Sequence, residues 1–122
     1  MNKKEVGQLG ERVAEKYLKD KGYKLLSRNW LSKIGEIDLI FKRDKILVFV
    51  EVKALIKLTN SFNPEMHFNY FKQNKMRQLA KLYINFKGLS NISFQIDLVA
   101  VEINEYGKVL DIRHYPACVE EK

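Results

Sequence analysis

The stretch GEIDLIFKRDKILVFVEVK, residues 35–53, decides the fold because it contains two strands and the turn that joins them. Residues 35–42 alternate apolar with polar side chains, and residues 45–53 are rich in β-branched and aromatic side chains, as strands are. Arg43 and Asp44 form a tight polar connection between the two. This pattern predicts an antiparallel hairpin.

Both strands of the hairpin interrupt their apolar residues with charged ones, which are Glu36, Asp38, Glu51 and Lys53. Because residues two apart on a strand share a face, we expect the two acids of the first strand to point away from its apolar residues Ile37, Leu39 and Phe41. Asp38 and Glu51 then become neighbours across the hairpin if their faces coincide.

Neighbouring carboxylates favour a bound cation. Two carboxylates side by side repel each other, and burying them without a partner is costly. Mg²⁺ removes this cost, because it prefers one or two carboxylates and completes its shell with waters and phosphate oxygens. We therefore predict that Asp38 and Glu51 bind Mg²⁺ or Mn²⁺, while Lys53 orients the attacking water or stabilises a pentavalent phosphate. The alternative is a structural ion network at the end of the sheet.

The rest of the chain predicts two helices and further strands around the hairpin. We expect helices at residues 5–21 and 68–86, strands at 23–30, 92–103 and 109–115, and a loop at 58–67. The order αβββαβ, followed by a short edge strand, predicts a single α/β domain over residues 1–122. A mixed central sheet flanked by helices is the expected architecture.

The composition is typical of a soluble globular protein, since 46% of the 122 residues are hydrophobic and 30% are charged. No apolar run approaches the roughly 20 residues that a membrane helix needs. The N-terminus lacks the apolar core of a signal peptide. Cys118 is the single cysteine, which excludes an internal disulfide and leaves no cysteine cluster for zinc. We therefore expect a cytoplasmic protein that does not associate with membranes.

The formal net charge of +7 is concentrated in two segments. Residues 1–33 have nine basic residues against four acidic ones, and residues 53–87 have seven against one. Basic surfaces attract phosphate backbones through counterion release, although many basic proteins bind no nucleic acid. Charge alone therefore leaves open whether the partner is a nucleic acid, and the candidate phosphate contacts lie on the second helix at Lys72, Lys75 and Arg77.

An acidic residue on one strand and Glu-x-Lys on the next, within an αβββαβ order, resembles the PD-(D/E)XK nuclease superfamily with its restriction-endonuclease-like core. More narrowly, the chain resembles the YraN-type family of predicted endonucleases, which is similar to archaeal Holliday-junction resolvases. The matching blocks, in the expected order, are GQLGERVAEKYL (7–18), GYKLLSRNW (22–30), GEIDLI (35–40), VFVEVK (48–53), KQNKMRQLAKLYI (72–84) and IDLVAV (96–101). The resemblance covers most of the domain.

This resemblance implies catalytic roles for four residues, which are Asp38, Glu51, Lys53 and Glu11. Asp38 and Glu51 match the metal-binding carboxylates of the superfamily, and Lys53 matches its motif lysine. Glu11 matches an acid that faces the metal site from a helix. For Glu11 the alternative interpretation is a solvated helix acid.

The resemblance also implies supporting roles. Glu36 becomes an acid that supports the metal site or pairs with a lysine, and Lys72 contacts phosphate or remains solvated on the helix. Asp97 matches a family aspartate, which we interpret as a buried structural partner. Leu55 and Gln95 stand where the family commonly has basic residues, which reduces the expected positive charge near the site.

The function implied by the resemblance is a Mg²⁺- or Mn²⁺-dependent endonuclease that hydrolyses phosphodiesters of DNA, including branched DNA. Resolvase-like relatives act as dimers on two-fold substrates, which leaves the oligomeric state open between a monomer and a homodimer. Two alternatives stay open. One is a non-catalytic nucleic-acid-binding module with the same fold, and the other is a small interaction protein whose acidic hairpin is a structural ion network.

Overall fold

The computed structural model describes residues 1–58 and 63–120. In chain order its elements are α1 (Lys3–Asp20), β1 (Lys24–Ser32), β2 (Gly35–Arg43), β3 (Ile46–Ile56), a 3₁₀ helix (Pro64–His67), α2 (Tyr70–Phe86), β4 (Ser93–Ile103) and β5 (Val109–Tyr115). The predicted αβββαβ order and the short final strand are confirmed. The 3₁₀ helix lies within the predicted loop, of which residues 59–62 are outside the described ranges. Within those ranges, no helix is long and apolar enough to cross a membrane.

The strands form one mixed sheet in the order β1-β2-β3-β4-β5. β2 and β3 are antiparallel, with Leu39 opposite Val50 and Arg43 opposite Ile46, so the predicted hairpin is present. β3 and β4 are parallel, as expected for strands that a helix connects, and β5 pairs antiparallel with β4. The protein is therefore a single α/β domain with a five-stranded mixed sheet and two helices.

Helix α1 covers one face of the sheet. A capping box fixes its start, because the Asn2 side chain accepts a 2.8 Å hydrogen bond from the Glu5 N–H and the Asn2 N–H donates one of 3.0 Å to the Glu5 side chain. The buried cluster beneath this helix includes Val6, Ala14, Leu18, Leu39, Phe41, Val48, Val50, Val52, Val99 and Val101. At Gly10 an added Cβ would lie 2.4 Å from the Cβ of Ala54, so the glycine permits close packing on β3. Glu11 is thereby held beside the C-terminal half of β3.

Helix α2 covers the opposite face. Asn69 caps its start by accepting a 3.0 Å hydrogen bond from the Lys72 N–H. The buried cluster beneath it includes Ile37, Ile40, Leu47, Phe49, Met76, Leu79, Ala80, Tyr83, Ile96 and Leu98. Trp30 packs edge-on against Tyr83, with 5.3 Å between ring centroids. The tryptophan therefore contributes to this second cluster.

The side chains of β2 do not alternate as predicted. Leu39 and Phe41 pack beneath α1, but Ile37 is fully buried in the cluster beneath α2. The pairing of β2 with β3 ends at Leu39 and Val50, whereas its pairing with β1 continues to the start of β2. β2 therefore separates from β3 at Asp38 and changes face there. We call this opening between the two strands the fork.

Candidate functional site

Asp38 lies where the fork opens. Its Oδ2 accepts a hydrogen bond of 2.8 Å from the backbone N–H of Val52 on β3. The hairpin register would next place Val52 opposite Ile37, but Ile37 has turned to the other face of the sheet. The Asp38 carboxylate therefore accepts the hydrogen bond that a continuing strand would have accepted, and this bond fixes its position.

Glu51 brings a second carboxylate to Asp38. One step beyond the last pair of the hairpin, Leu39 with Val50, the register places Asp38 opposite Glu51. The two residues therefore lie on opposite sides of the fork. The pKa of Asp38 is raised well above its usual range, first because burial disfavours its charge and then because Glu51 shares a hydrogen bond with it and repels it. The Val52 N–H and the charge of Lys53 lower this pKa, but they do not cancel the rise. The pair therefore favours a shared proton or a bound cation over two bare carboxylates.

Lys53 lies next to this carboxylate pair. Its Nζ is 3.9 Å from Oε2 of Glu51, and the two side chains are 24% and 15% exposed. Leu47 and Phe49 of β3 point beneath α2, so the alternation of the strand places Glu51 and Lys53 on that face as well. A separation of 3.9 Å is longer than a hydrogen bond, so the ammonium group can still donate to another acceptor.

Glu11 and Glu36 approach the same fork from α1 and from the start of β2. Nδ2 of Asn29 donates a hydrogen bond of 2.9 Å to each of their Oε1 atoms. The pKa of Glu11 is raised by burial, which the Asn29 hydrogen bond opposes, and further by the charges of Asp38 and Glu36. Asn29 thus joins Glu11 to Glu36, and Glu11 also feels the charge of Asp38, which lies against Glu51.

Asn29 is a site residue that sequence reasoning missed. It lies in β1 between Arg28 and Trp30, which pair with Leu39 and Ile37 of β2. Its φ of +49° puts it in the left-handed region, which asparagine tolerates better than most residues. The available signal was an asparagine inside a strand, a position at which this residue type is uncommon.

The chemistry of the donor set fits a cation that takes few protein ligands. Across residues 1–58 and 63–120, no group of three or more His, Cys, Asp or Glu is arranged to hold a metal ion. Asp38 and Glu51 offer two carboxylates whose repulsion a divalent cation would relieve. Mg²⁺ typically takes one or two carboxylates with waters and phosphate oxygens, whereas structural zinc takes four protein ligands. The pair therefore fits Mg²⁺ or Mn²⁺.

The basic residues predicted on α2 differ in their environments. Lys72 is exposed in the first turn, and Lys75 reaches the start of β2, where its Cε lies 3.4 Å from the position of a Cβ built on Gly35. Arg77 is only 6% exposed, and it donates a hydrogen bond of 2.9 Å to the carbonyl of Glu120. We therefore remove Arg77 from the predicted nucleic-acid contacts, because its guanidinium holds the C-terminal segment against α2.

Asp97 belongs to a separate buried network. Its Oδ1 accepts hydrogen bonds of 2.8 Å from the Gln95 amide and 2.9 Å from the Ala117 N–H. Its Oδ2 is 2.7 Å from Nε2 of His114 and accepts a bond of 3.3 Å from the Tyr23 hydroxyl. Asp97 is fully buried, and these contacts connect β4 with β5, with the start of β1 and with the C-terminal segment. This is the environment of a structural partner, and Gln95 is one of its members.

Comparison with known proteins identifies the family. Residues 10–101 match the family described as Uncharacterised protein family UPF0102. The chain is 37% identical over 112 residues to the UPF0102 protein of Caldicellulosiruptor saccharolyticus, covering 92% of this chain and 94% of that protein. It is 39% identical over 107 residues to the UPF0102 protein of Alkaliphilus metalliredigens, covering 87% and 92%, and 34% identical over 116 residues to that of Dictyoglomus turgidum, covering 95% and 98%. The predicted YraN-like family is thereby confirmed, and the chain belongs to the UPF0102 family.

Proposed function

We propose that the protein is a metal-dependent endonuclease of the PD-(D/E)XK type that hydrolyses phosphodiesters of DNA, with branched DNA among its substrates. The buried pair of Asp38 and Glu51 is the observation that supports this proposal most strongly. Burial and repulsion disfavour two bare carboxylates at this place. Perturbed carboxyl groups of this kind concentrate at functional sites.

The residues of the fork divide the chemistry between them. Asp38 and Glu51 would hold Mg²⁺ or Mn²⁺, and the bound ion would supply a Lewis acid and a water of lowered pKa. The Val52 N–H donates to Oδ2 of Asp38, so this carboxylate keeps a defined position from which it would hold the ion. Lys53 shares the face of Glu51 and can donate to a phosphate oxygen, which stabilises the negative charge that develops on the phosphate as water attacks.

Glu11 is the acid best suited to handle a proton beside this pair. Its raised pKa makes it a stronger base than an exposed glutamate, so it can accept a proton from the attacking water. Asn29 holds its carboxylate at 2.9 Å and also holds Glu36, so both acids keep a defined position. Glu11 therefore assists the reaction, and Glu36 supports the site through the Asn29 amide that it shares with Glu11.

The charge distribution supports delivery of a polyanion to the fork. Two basic segments flank it in sequence, and Lys72 and Lys75 of α2 contribute to the second of these. Each lysine that contacts a phosphate releases counterions and makes binding dependent on salt concentration. A DNA backbone that follows these lysines would be directed towards the carboxylates of the fork.

Cleavage assays with labelled junction, flap and duplex DNA in Mg²⁺ test the proposal. We expect Asp38→Asn and Lys53→Gln each to lower the cleavage rate by about 100-fold or more, as the loss of a group that stabilises developing charge does elsewhere. Asp20→Asn and Lys16→Gln are matched controls, because they change the same residue types in an exposed pair on α1. Wild-type rates in the Asp38 variant would overturn the proposal.

A second candidate function is a nucleic-acid-binding module that does not cleave. The observation that favours it is the lack of a three-ligand metal group within the described ranges. Under this alternative, the protein binds DNA at low salt and the Asp38→Asn variant binds as well as wild type, but no product forms with Mg²⁺ or Mn²⁺. If neither DNA nor RNA binds, the protein is instead an interaction protein with a structural ion network.

A further inference from the structure

The first turn of α2 exposes two consecutive aromatic side chains. Phe71 is 73% exposed and Tyr70 is 63% exposed. The guanidinium of Arg77 lies 5.7 Å from the centroid of the Tyr70 ring, a cation–π contact that helps to orient this ring. Large aromatic side chains grouped at the surface commonly mark a binding site.

This turn lies at the same end of the sheet as the fork. Glu65, in the 3₁₀ helix that precedes α2, forms an ion pair with Arg113, which in turn donates a 2.7 Å hydrogen bond to Glu102. Glu102 pairs with Leu55 of β3, only two residues beyond Lys53. We call Arg113 and its carboxylate partners Glu65, Glu102 and Asp111 the arginine clamp. The clamp therefore holds the 3₁₀ helix that leads into α2 close to the end of β3 that bears the predicted catalytic residues.

The surroundings of the two aromatic residues are basic. Lys72 directly follows Phe71, and Lys75 lies one turn further along the helix and reaches the start of β2. Glu65 is the only acid among residues 53–87, which contain seven basic residues, and Arg113 binds its carboxylate. A partner for this surface must therefore combine negative charge with a flat apolar face.

We propose that Phe71 and Tyr70 form a stacking platform for an unpaired nucleotide, so that the substrate class is DNA with unpaired bases beside the cleaved bond. A nucleotide offers a phosphate to Lys72 and a base to the aromatic rings. Inside a continuous duplex each base face is already covered by its neighbours, whereas flaps, overhangs, single strands and junctions with unpaired bases expose one. The assignment of a substrate class rests on the proposed endonuclease function, but the binding of an unpaired nucleotide does not require cleavage.

Binding measured without metal tests the platform directly. The full chain is titrated in EDTA and low salt against a fluorescein-labelled oligo(dT) strand and against a blunt duplex of equal length, and fluorescence anisotropy gives both affinities. We expect Phe71→Ala to weaken oligo(dT) binding about tenfold, because a single base–aromatic stack contributes that much, and to leave duplex binding unchanged. Phe71→Trp should retain oligo(dT) binding, since it restores a stacking surface.

Three controls make the result specific. Tyr106→Ala removes an aromatic residue that is 87% exposed outside the basic segment, and it should change neither affinity. Lys72→Gln should weaken both affinities and reduce the salt dependence, because it removes a phosphate contact. Thermal unfolding should show that Phe71→Ala folds as the wild type does.

Two outcomes would overturn the platform. One is an equal loss of single-strand and duplex affinity in Phe71→Ala, and the other is no loss at all, as expected if these residues bind a protein partner. Failure of the endonuclease proposal would look different. In that case Phe71 would still discriminate between the two DNA forms in EDTA, but no DNA would be cut when Mg²⁺ is added.

Discussion

The fork and the arginine clamp are two clusters of carboxylates that differ in what each carboxylate contacts. At the fork, Asp38 lies against a second carboxylate, and burial together with this neighbour raises its pKa. In the clamp, hydrogen bonds from Arg113 lower the pKa of Glu65 to about 2. The same type of side chain is thus stabilised in one cluster and disfavoured in the other. The difference indicates that the clamp stabilises the fold, whereas the fork has the perturbed carboxyl groups that are typical of functional sites.

Removing the arginine of the clamp should have the largest effect on stability. Arg113→Ala leaves the carboxylates of Glu65 and Glu102 together without their shared partner, and we expect the free energy of unfolding to fall by about 2–3 kcal/mol. Urea denaturation followed by circular dichroism measures the change. Arg12→Ala, on the exposed surface of α1, should change it by less than about 0.5 kcal/mol. A loss this small in Arg113→Ala would show that the clamp does not stabilise the fold.

Removing the charge of Asp38 at the fork should raise the free energy of unfolding, whereas removing Arg113 lowers it. Asp38→Asn removes the disfavoured charge but keeps an oxygen that can accept the Val52 N–H, so we expect the free energy of unfolding to rise. The same urea titration without added metal measures it. Asp20→Asn serves as the control, because it removes an exposed carboxylate whose ion pair contributes little. A less stable Asp38→Asn variant would contradict the charge imbalance that we ascribe to the fork.

Acid should weaken the clamp specifically. The folded-state pKa of Glu65 is about 2, against an ordinary value of 4.5, so its stabilisation is complete above about pH 4.5 and is lost as the pH falls towards 2. We expect wild type to lose about 2 kcal/mol more stability than Glu65→Gln between roughly pH 5 and 2.5. Unfolding curves at several pH values measure this difference. Parallel pH profiles for the two proteins would show that Glu65 is not the group responsible.

The smallest expected effect concerns the backbone of Asn29 at the fork. Asn29→Gly and Asn29→Ala both remove the amide that bridges Glu11 and Glu36, but only alanine is strained at a φ of +49°. We expect the alanine variant to be less stable than the glycine variant by roughly 1 kcal/mol. Differential scanning calorimetry of the two variants measures the difference. Equal stabilities would mean that β1 relaxes when the amide is removed.

Those parts of the fold that depend on local pattern could be predicted from the sequence. The hairpin follows from two strand-like segments and the turn at Arg43 and Asp44, and both helices follow from apolar spacing. The closeness of Asp38 and Glu51 follows as well, because a short turn sets the register of a hairpin. These features need no knowledge of distant residues.

The rest depends on contacts between residues far apart in sequence. Ile37 changes face because β2 follows β1 and leaves β3, which the alternation within β2 does not reveal. Arg77 looks like a surface cation on a basic helix, but the C-terminal segment covers it at Glu120. Asn29 acquires its role only when α1 and β2 bring two acids to its amide.

The hydrogen bond from Val52 to Asp38 has a consequence for how this hairpin can vary. The Asp38 carboxylate keeps β2 and β3 apart at this point. It accepts the hydrogen bond from the Val52 N–H that would otherwise form the next backbone pair between the two strands. The pairing of β2 with β3 can therefore extend past Leu39 and Val50, or the fork can stay open, but the two exclude each other. A substitution that fills the fork with an apolar side chain would convert this opening into ordinary sheet and leave the fold intact.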